Sequence, residues 1–155
     1  MIRPWNQNDI YPILAIEEAV HVAPWNRDAF LMCLQSGYAG YVALTDTPHK
    51  TQRDITGFII MSTHTEECHI LNIGVAIMHQ RQGIGKMLLT HALKEAKNRY
   101  HAKVAYLEVR RSNTRAINLY RQFHFEQIGE RKDYYQTAHG AEDALIFAKL
   151  LQSQE

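Results

Sequence analysis

The chain has 155 residues, 46% hydrophobic and 21% charged, with a formal net charge of +1. That length fits a single domain spanning residues 1–155, and that composition supplies a core. The near-neutral balance weighs against broad nucleic-acid binding, which needs a strong basic excess. No apolar run approaches the roughly 20 residues of a membrane helix, and residues 1–6 do not open like a signal peptide. The two cysteines, Cys33 and Cys68, have no metal-ligand spacing and read as core thiols. The expectation is a soluble, reduced, cytoplasmic protein with no membrane contact.

Asn8 or Asp9 can cap a first helix, along which Ile10, Ile13, Leu14 and Glu17 recur at helical spacing. A second short helix is predicted from Asn26, after Pro24 and Trp25, with Phe30, Leu31 and Leu34 as its apolar residues. Gly37 and Gly40 break the chain before a strand over residues 41–44. Residues 45–53 are polar, carry Pro48 and read as a turn. Residues 55–63 and 68–77 are β-rich and are predicted to pair as a hairpin across Thr65, Glu66 and Glu67.

From Ile84 to about Tyr100 the period changes. Ile84, Met87, Leu88, His91, Ala92 and Ala96 share one helical face, and Lys94, Lys97 and Arg99 complement the dipole in the later turns. Residues 104–109 form a nearly continuous apolar strand, as if covered on both faces. Ser112 or Asn113 can cap a further helix through Ala116, Ile117, Leu119, Tyr120 and Phe123. Two strands follow near residues 126–134 and 143–150, with a polar loop over 135–142. The order implies a mixed α/β sheet, mostly antiparallel, with helices on both faces. One parallel pair would be made by a right-handed crossover within residues 71–109.

The most informative stretch is Gln80-Arg81-Gln82-Gly83-Ile84-Gly85-Lys86, where a strand feeds a turn that opens into the long helix. Free amides and the helix dipole make such a turn an anion site. Gly83 and Gly85 let a ligand approach the backbone, and Arg81 and Lys86 can add charge. A P-loop needs Ser or Thr after Gly85-Lys86, but Met87 stands there. A dinucleotide fingerprint needs a third glycine where Leu88 stands. Taken alone, the turn is also compatible with a glycine-rich bend that only lets the helix pack.

The pattern Gln-x-x-Gly-x-Gly, opening a helix after a strand, resembles motif A of the GNAT acetyltransferase superfamily. Further along, Leu107-Glu108-Val109-Arg110, Ser112-Asn113, Ala116-Ile117-Asn118-Leu119-Tyr120 and Phe123-His124-Phe125 resemble the family's next strand and helix. Pro24-Trp25, Asn72-Ile73-Gly74-Val75, Arg131-Lys132-Asp133-Tyr134-Tyr135 and Gly140-Ala141-Glu142-Asp143-Ala144 are similar to its RimI type. That type acetylates the N-terminal alanine of a small-subunit ribosomal protein. The chain departs from the family at His124, usually glycine, and at Gln136, often proline.

The resemblance implies the GNAT fold, acetyl-coenzyme A as co-substrate, no metal, and direct transfer to a protein N-terminus, without an enzyme-bound acetyl group. It implies Glu108 as the base and Tyr120 as the acid. From the residues alone, Glu108 could instead pair with Arg110 or Arg111 at the strand end, and Tyr120 could be a core aromatic. Arg81, Gln82, Gly83, Ile84, Gly85 and Lys86 would hold the pyrophosphate. Ile73, Gly74 and Val75 would offer backbone groups to the pantetheine and acetyl carbonyl, with Asn113 adding a contact from its helix cap. Trp25, Tyr134 and Tyr135 would wall the acceptor slot. Glu142 and Asp143 are either attractors for a basic peptide or a solvated hairpin tip. The nine histidines are scattered and predict no metal site. A lysine or small-molecule acetyltransferase, or a non-catalytic acyl-coenzyme A module, remain alternatives.

Overall fold

A computed structural model describes residues 1–46, 54–138 and 140–151. Strands β1 (Ile2–Pro4), β2 (Ala39–Leu44), β3 (Ile55–His64), β4 (Glu67–Val75), β5 (Val104–Arg110), β6 (Glu126–Thr137) and β7 (Gly140–Leu150) form one sheet. Its order is β1-β2-β3-β4-β5-β7-β6. Helices α1 (Ile10–Val20) and α2 (Arg27–Gln35) cover one face, and α3 (Ile84–Asn98) and α4 (Thr114–Gln122) the other. The alternation along β2 shows why both faces are buried. Tyr41 and Ala43 pack with Leu88, Leu89 and Ala92 of α3, while Val42 packs with Ile10, Ile13 and Phe30 of α1 and α2.

One parallel contact positions the site. β4 and β5 pair from Glu67↔Val104 to Ile70↔Leu107 and no further. Beyond Ile70, β4 continues against β3 and β5 continues against β7. The register of β4 against β3 also slips there, since Ile60 faces Asn72 and Met61 faces Ile70. Leu71 is thus an extra residue, a β-bulge that bends β4 away. The sheet opens at this point into a V.

Several expectations change. Residues 2–4 form an edge strand the sequence reading did not include; the stretch is three residues long and is defined by its pairing with Tyr41–Ala43 rather than by any pattern of its own. The first cap is Asn6, which accepts from Asn8 N and opens a 3-10 turn at Gln7–Asp9. Asp9 is buried and takes a two-point contact from Arg3 at 2.8 Å, so it ties β1 to α1 instead of capping the helix. Gly40 lies inside β2, where a Cβ would come within 2.6 Å of the Trp5 ring. Ile77 belongs to a 3-10 turn after β4. Most of residues 135–142 is not a loop, for Tyr135↔Glu142 and Gln136↔Ala141 are paired at the sheet edge. Edge strands tolerate charge on both faces, so alternation gave no signal there. Of the polar turn at residues 45–53, positions 47–53 lie outside the described residues.

The His124 departure has a physical consequence. His124 takes φ +66° where α4 turns into β6, and the turn is closed by Phe125 N to Tyr120 O at 3.1 Å. The turn survives the loss of the family's glycine, at the cost of a left-handed side-chain residue. His124→Gly is expected to stabilise the protein by about 0.5–1 kcal/mol, strain relief being partly offset by unfolded-state entropy. Thermal unfolding followed by circular dichroism checks this, with a rise of roughly 1–4 °C expected.

Candidate active site

The V between β4 and β5 joins two cavities. The larger, about 490 Å³, runs along the turn after β4 and the start of α3. The smaller, about 130 Å³, lies beside β5 and the α1–α2 connection. His21, Ile73, Arg110, Asn113 and Ala116 line both, so the two meet at the splayed strands.

The larger cavity has the chemistry of an anion cradle. α3 begins at Gly83, φ +82°, with no side-chain cap, and its first internal bond is Met87 N to Gly83 O at 3.0 Å. The amides before Met87 therefore face the turn without intrahelical partners. Arg81, Gly83, Ile84, Gly85 and Lys86 line the cavity. Gln82 is exposed and does not line it. Two residues not singled out as ligands complete the wall. Gln80 donates to the Val75 carbonyl at 3.1 Å and accepts from Arg115 at 2.6 Å, tying the turn to α4. A Cβ on Gly85 would be 3.6 Å from Leu119, an ordinary contact, so the fold itself does not require glycine there. Glycine there leaves the backbone amides at the start of α3 open to close approach from the cavity.

Ile73 and Val75 lie in the same wall, on the part of β4 that β5 has left. Their carbonyls are met by side chains, Ile73 by His21 Nε2 at 3.0 Å and Val75 by Gln80. Gly74 is buried and pairs with Phe58, whose ring would lie 2.8 Å from an added Cβ. Its glycine is thus set by packing against Phe58 and Ile16.

The smaller cavity collects the titratable groups. Glu108, Tyr120, Trp25 and Tyr135 all line it. Glu108 alternates with buried Leu107 and Val109 and so faces away from α4, while Tyr120 packs with them on the opposite face. Only the splay lets the two line one space. Burial pushes the Tyr120 phenol above the ordinary tyrosine value, with Tyr135 adding to the shift. Tyr120 therefore stays protonated throughout the physiological range. Burial also raises Tyr135, and the Glu108 charge adds to it. Asn113 caps α4 by accepting from Ala116 N at 3.2 Å and reaches both cavities.

Other placements differ from expectation. Glu108 pairs not with Arg110 or Arg111 but with Arg131 of β6, at 3.0 Å. Arg110 pairs with Glu142, and Arg111 with Glu130 and Asp143. Glu142 and Asp143 are thus engaged within the protein. Tyr134 is half exposed and outside the slot, with the Arg131 guanidinium 5.3 Å from its ring centre.

Glu17 and His21 were not foreseen as site residues. Glu17 is 1% exposed, accepts from Trp25 N at 2.9 Å and so holds the slot's wall in place. Its Oε1 lies 3.3 Å from His21 Nε2, but that N–H is directed at Ile73, and Oε1 has no hydrogen bond among the described residues. Asn72 Nδ2 is likewise buried, with no hydrogen bond among the described residues, and both residues line the slot. The available signal was an acid, Glu17, on the apolar stripe of α1.

Among the described residues no group of His, Cys, Asp and Glu side chains could hold a metal ion. No helix among them is long and apolar enough to cross a membrane.

The acetyltransferase (GNAT) family model matches residues 2–125. A ribosomal protein bS18-alanine N-acetyltransferase of Haemophilus ducreyi is 35% identical over 152 residues, 97% of this chain and all of that one. The crystal structure of the ribosomal-protein-S18-alanine N-acetyltransferase from Escherichia coli superposes with a TM-score of 0.88 at 31% identity, covering 100% of this chain and 96% of that chain. Arabidopsis thaliana NAA60 in complex with acetyl-CoA shares the fold at 18% identity, with a TM-score of 0.85 over 97% of each chain.

Cys68 is fully buried, and burial pushes its thiol up to about 12, leaving almost no thiolate at neutral pH. It lines neither cavity. Cys68→Ala is expected to leave turnover unchanged and to cost about 1 kcal/mol of stability. Steady-state kinetics beside a denaturant titration check both.

Proposed function

We propose that this chain, which belongs to the GNAT family of acetyltransferases and is an acetyl-CoA-dependent N-acetyltransferase, acetylates the N-terminal amine of a protein. The acceptor that its relatives' names favour is the N-terminal alanine of ribosomal protein bS18. A protein working on ribosomal proteins belongs in the cytoplasm, as one acetyltransferase domain over residues 1–155. The observation that carries the reading is the junction at the splay, where the anion cradle meets a small slot holding Glu108 and Tyr120. A space of about 130 Å³ suits a terminal amine with a small first side chain.

The residues divide the work as follows. The α3 amides, Arg81 and Lys86 bind the pyrophosphate, and Arg115 adds charge at the rim. The open edge of β4 at Ile73 and Val75 aligns the pantetheine arm and polarises the thioester carbonyl. Acetyl-CoA supplies an activated acyl group on a thiolate leaving group. An acceptor α-amine has a pKa of about 7.7–8.0, so much of it arrives protonated. Glu108 accepts that proton, directly or through water. The amine attacks the carbonyl, the C–S bond breaks as the adduct collapses, and Tyr120 donates its phenolic proton to the departing thiolate; the second proton that the nitrogen sheds returns through water to the Tyr120 phenolate. Trp25, held through its amide by Glu17, and Tyr135 wall the slot.

Glu108→Gln and Tyr120→Phe are each expected to lower kcat roughly 100-fold or more while leaving the acetyl-CoA Kd within about twofold. Single-turnover kinetics and calorimetric titration check the pair; loss of cofactor binding would show that the roles are misassigned. The acceptor class is tested by mass spectrometry on two peptides, one with a free N-terminal alanine and one blocked there but carrying an internal lysine. Modification of the first alone is expected. Acetylation of the blocked peptide would make the protein a lysine acetyltransferase.

A further inference from the structure

The carboxylate of Glu108 is held from outside its own strand. Arg131 Nε donates to Glu108 Oε1 at 3.0 Å. The two residues lie on neighbouring rows of one sheet face, with β7 between them. Glu108 pairs with Ile146, and Arg110 and Arg131 both pair with Ala144. Ala144 is buried and has only a methyl group, so the Arg131 side chain can cross β7 to reach β5.

The β6 backbone is shaped to deliver this arginine. Register between β6 and β7 breaks between Arg131 and Tyr135, so residues 132–134 bulge from the ladder. Asp133 takes φ +53° in the bulge, and its amide is pinned to Asp143 Oδ1 at 3.0 Å. Asp143 is in turn held by Arg111. The bulge turns Tyr134 out of the slot and under the Arg131 guanidinium, 5.3 Å from the ring centre, while Tyr135 stays in the slot. Tyr134 and Tyr135 rings stand edge to face, 5.2 Å apart. Guanidinium stacking and a charge-assisted hydrogen bond together fix a side chain that is otherwise 55% exposed.

We infer that Arg131 is the positioning residue for Glu108, and that Tyr134 is the clamp that holds Arg131 in place. The assignment rests on Glu108 being the base. With Oε1 engaged by Arg131, the carboxylate cannot rotate freely and Oε2 is the oxygen left to receive the acceptor's proton. Tyr134 thereby acts on catalysis without touching the acceptor, unlike its neighbour Tyr135.

The test is a kinetic set on Arg131→Met, Tyr134→Ala, Tyr134→Phe, Glu108→Gln and the double variant Arg131→Met/Glu108→Gln. It uses acetyl-CoA and a peptide with a free N-terminal alanine. Arg131→Met is expected to lower kcat roughly ten- to a hundredfold, with acceptor KM, acetyl-CoA Kd and unfolding temperature nearly unchanged. Tyr134→Ala is expected to lower kcat severalfold, and Tyr134→Phe, which keeps the ring, to restore it. In the Glu108→Gln background, Arg131→Met is expected to cost nothing further, the sign of two residues acting through one function. A rise in KM with kcat unchanged would make Arg131 an acceptor contact and overturn the inference, as would an equal loss in both backgrounds. Full turnover in Glu108→Gln alone would instead overturn the base assignment.

Discussion

The structure depends on the point at which β4 and β5 part. A parallel pair that ran its full length would satisfy both strand edges and leave no site. Here the ladder stops after Ile70↔Leu107, and the bulge at Leu71 turns β4 aside. Two consequences follow from that single break. The β4 edge at Ile73 and Val75 is left without a strand neighbour, and side chains from opposite faces of the sheet reach a shared space. Glu108 and Tyr120 sit on different sides of the same sheet, and only the gap brings them to one cavity.

An open strand edge is costly unless its polar groups find partners. The protein answers with side chains where a strand would have been. His21 meets Ile73, and Gln80 meets Val75. Each also ties the edge to another element, since Glu17 lies beside His21 on α1 and Arg115 of α4 holds Gln80. The slot is therefore braced from the elements that line it. The same logic explains Glu17, a buried carboxylate that costs stability on its own but fixes the amide of Trp25.

Much of this was legible in the sequence because its signals are local. The turn from Gln80 to Lys86 carries its glycines and its helix start within one short stretch, and the structure puts all but Gln82 of its expected ligands on the larger cavity. Glu108 stood out as a charge in an apolar strand. What was not legible is what depends on distant partners. β1 exists because Tyr41–Ala43 offers it a ladder. The Glu108 partner could not be chosen between Arg110 and Arg111 from spacing, and the structure supplies Arg131 from the far side of β7. Tyr134 and Tyr135 are sequence neighbours with opposite destinations, separated by a bulge that no composition rule marks. His124 shows the reverse case, a local signal absent while the geometry it would encode persists.

In the proposed mechanism the thioester and the amine meet at the β4–β5 gap. A crystal structure with coenzyme A and a peptide bearing a free N-terminal alanine tests it most directly. The expected result is the pyrophosphate on the amides of Gly83 to Lys86, the sulfur beside the Tyr120 hydroxyl, and the peptide nitrogen within direct or one-water reach of Glu108. A sulfur remote from Tyr120, or a peptide entering from a side that leaves Glu108 beyond one water, would contradict it.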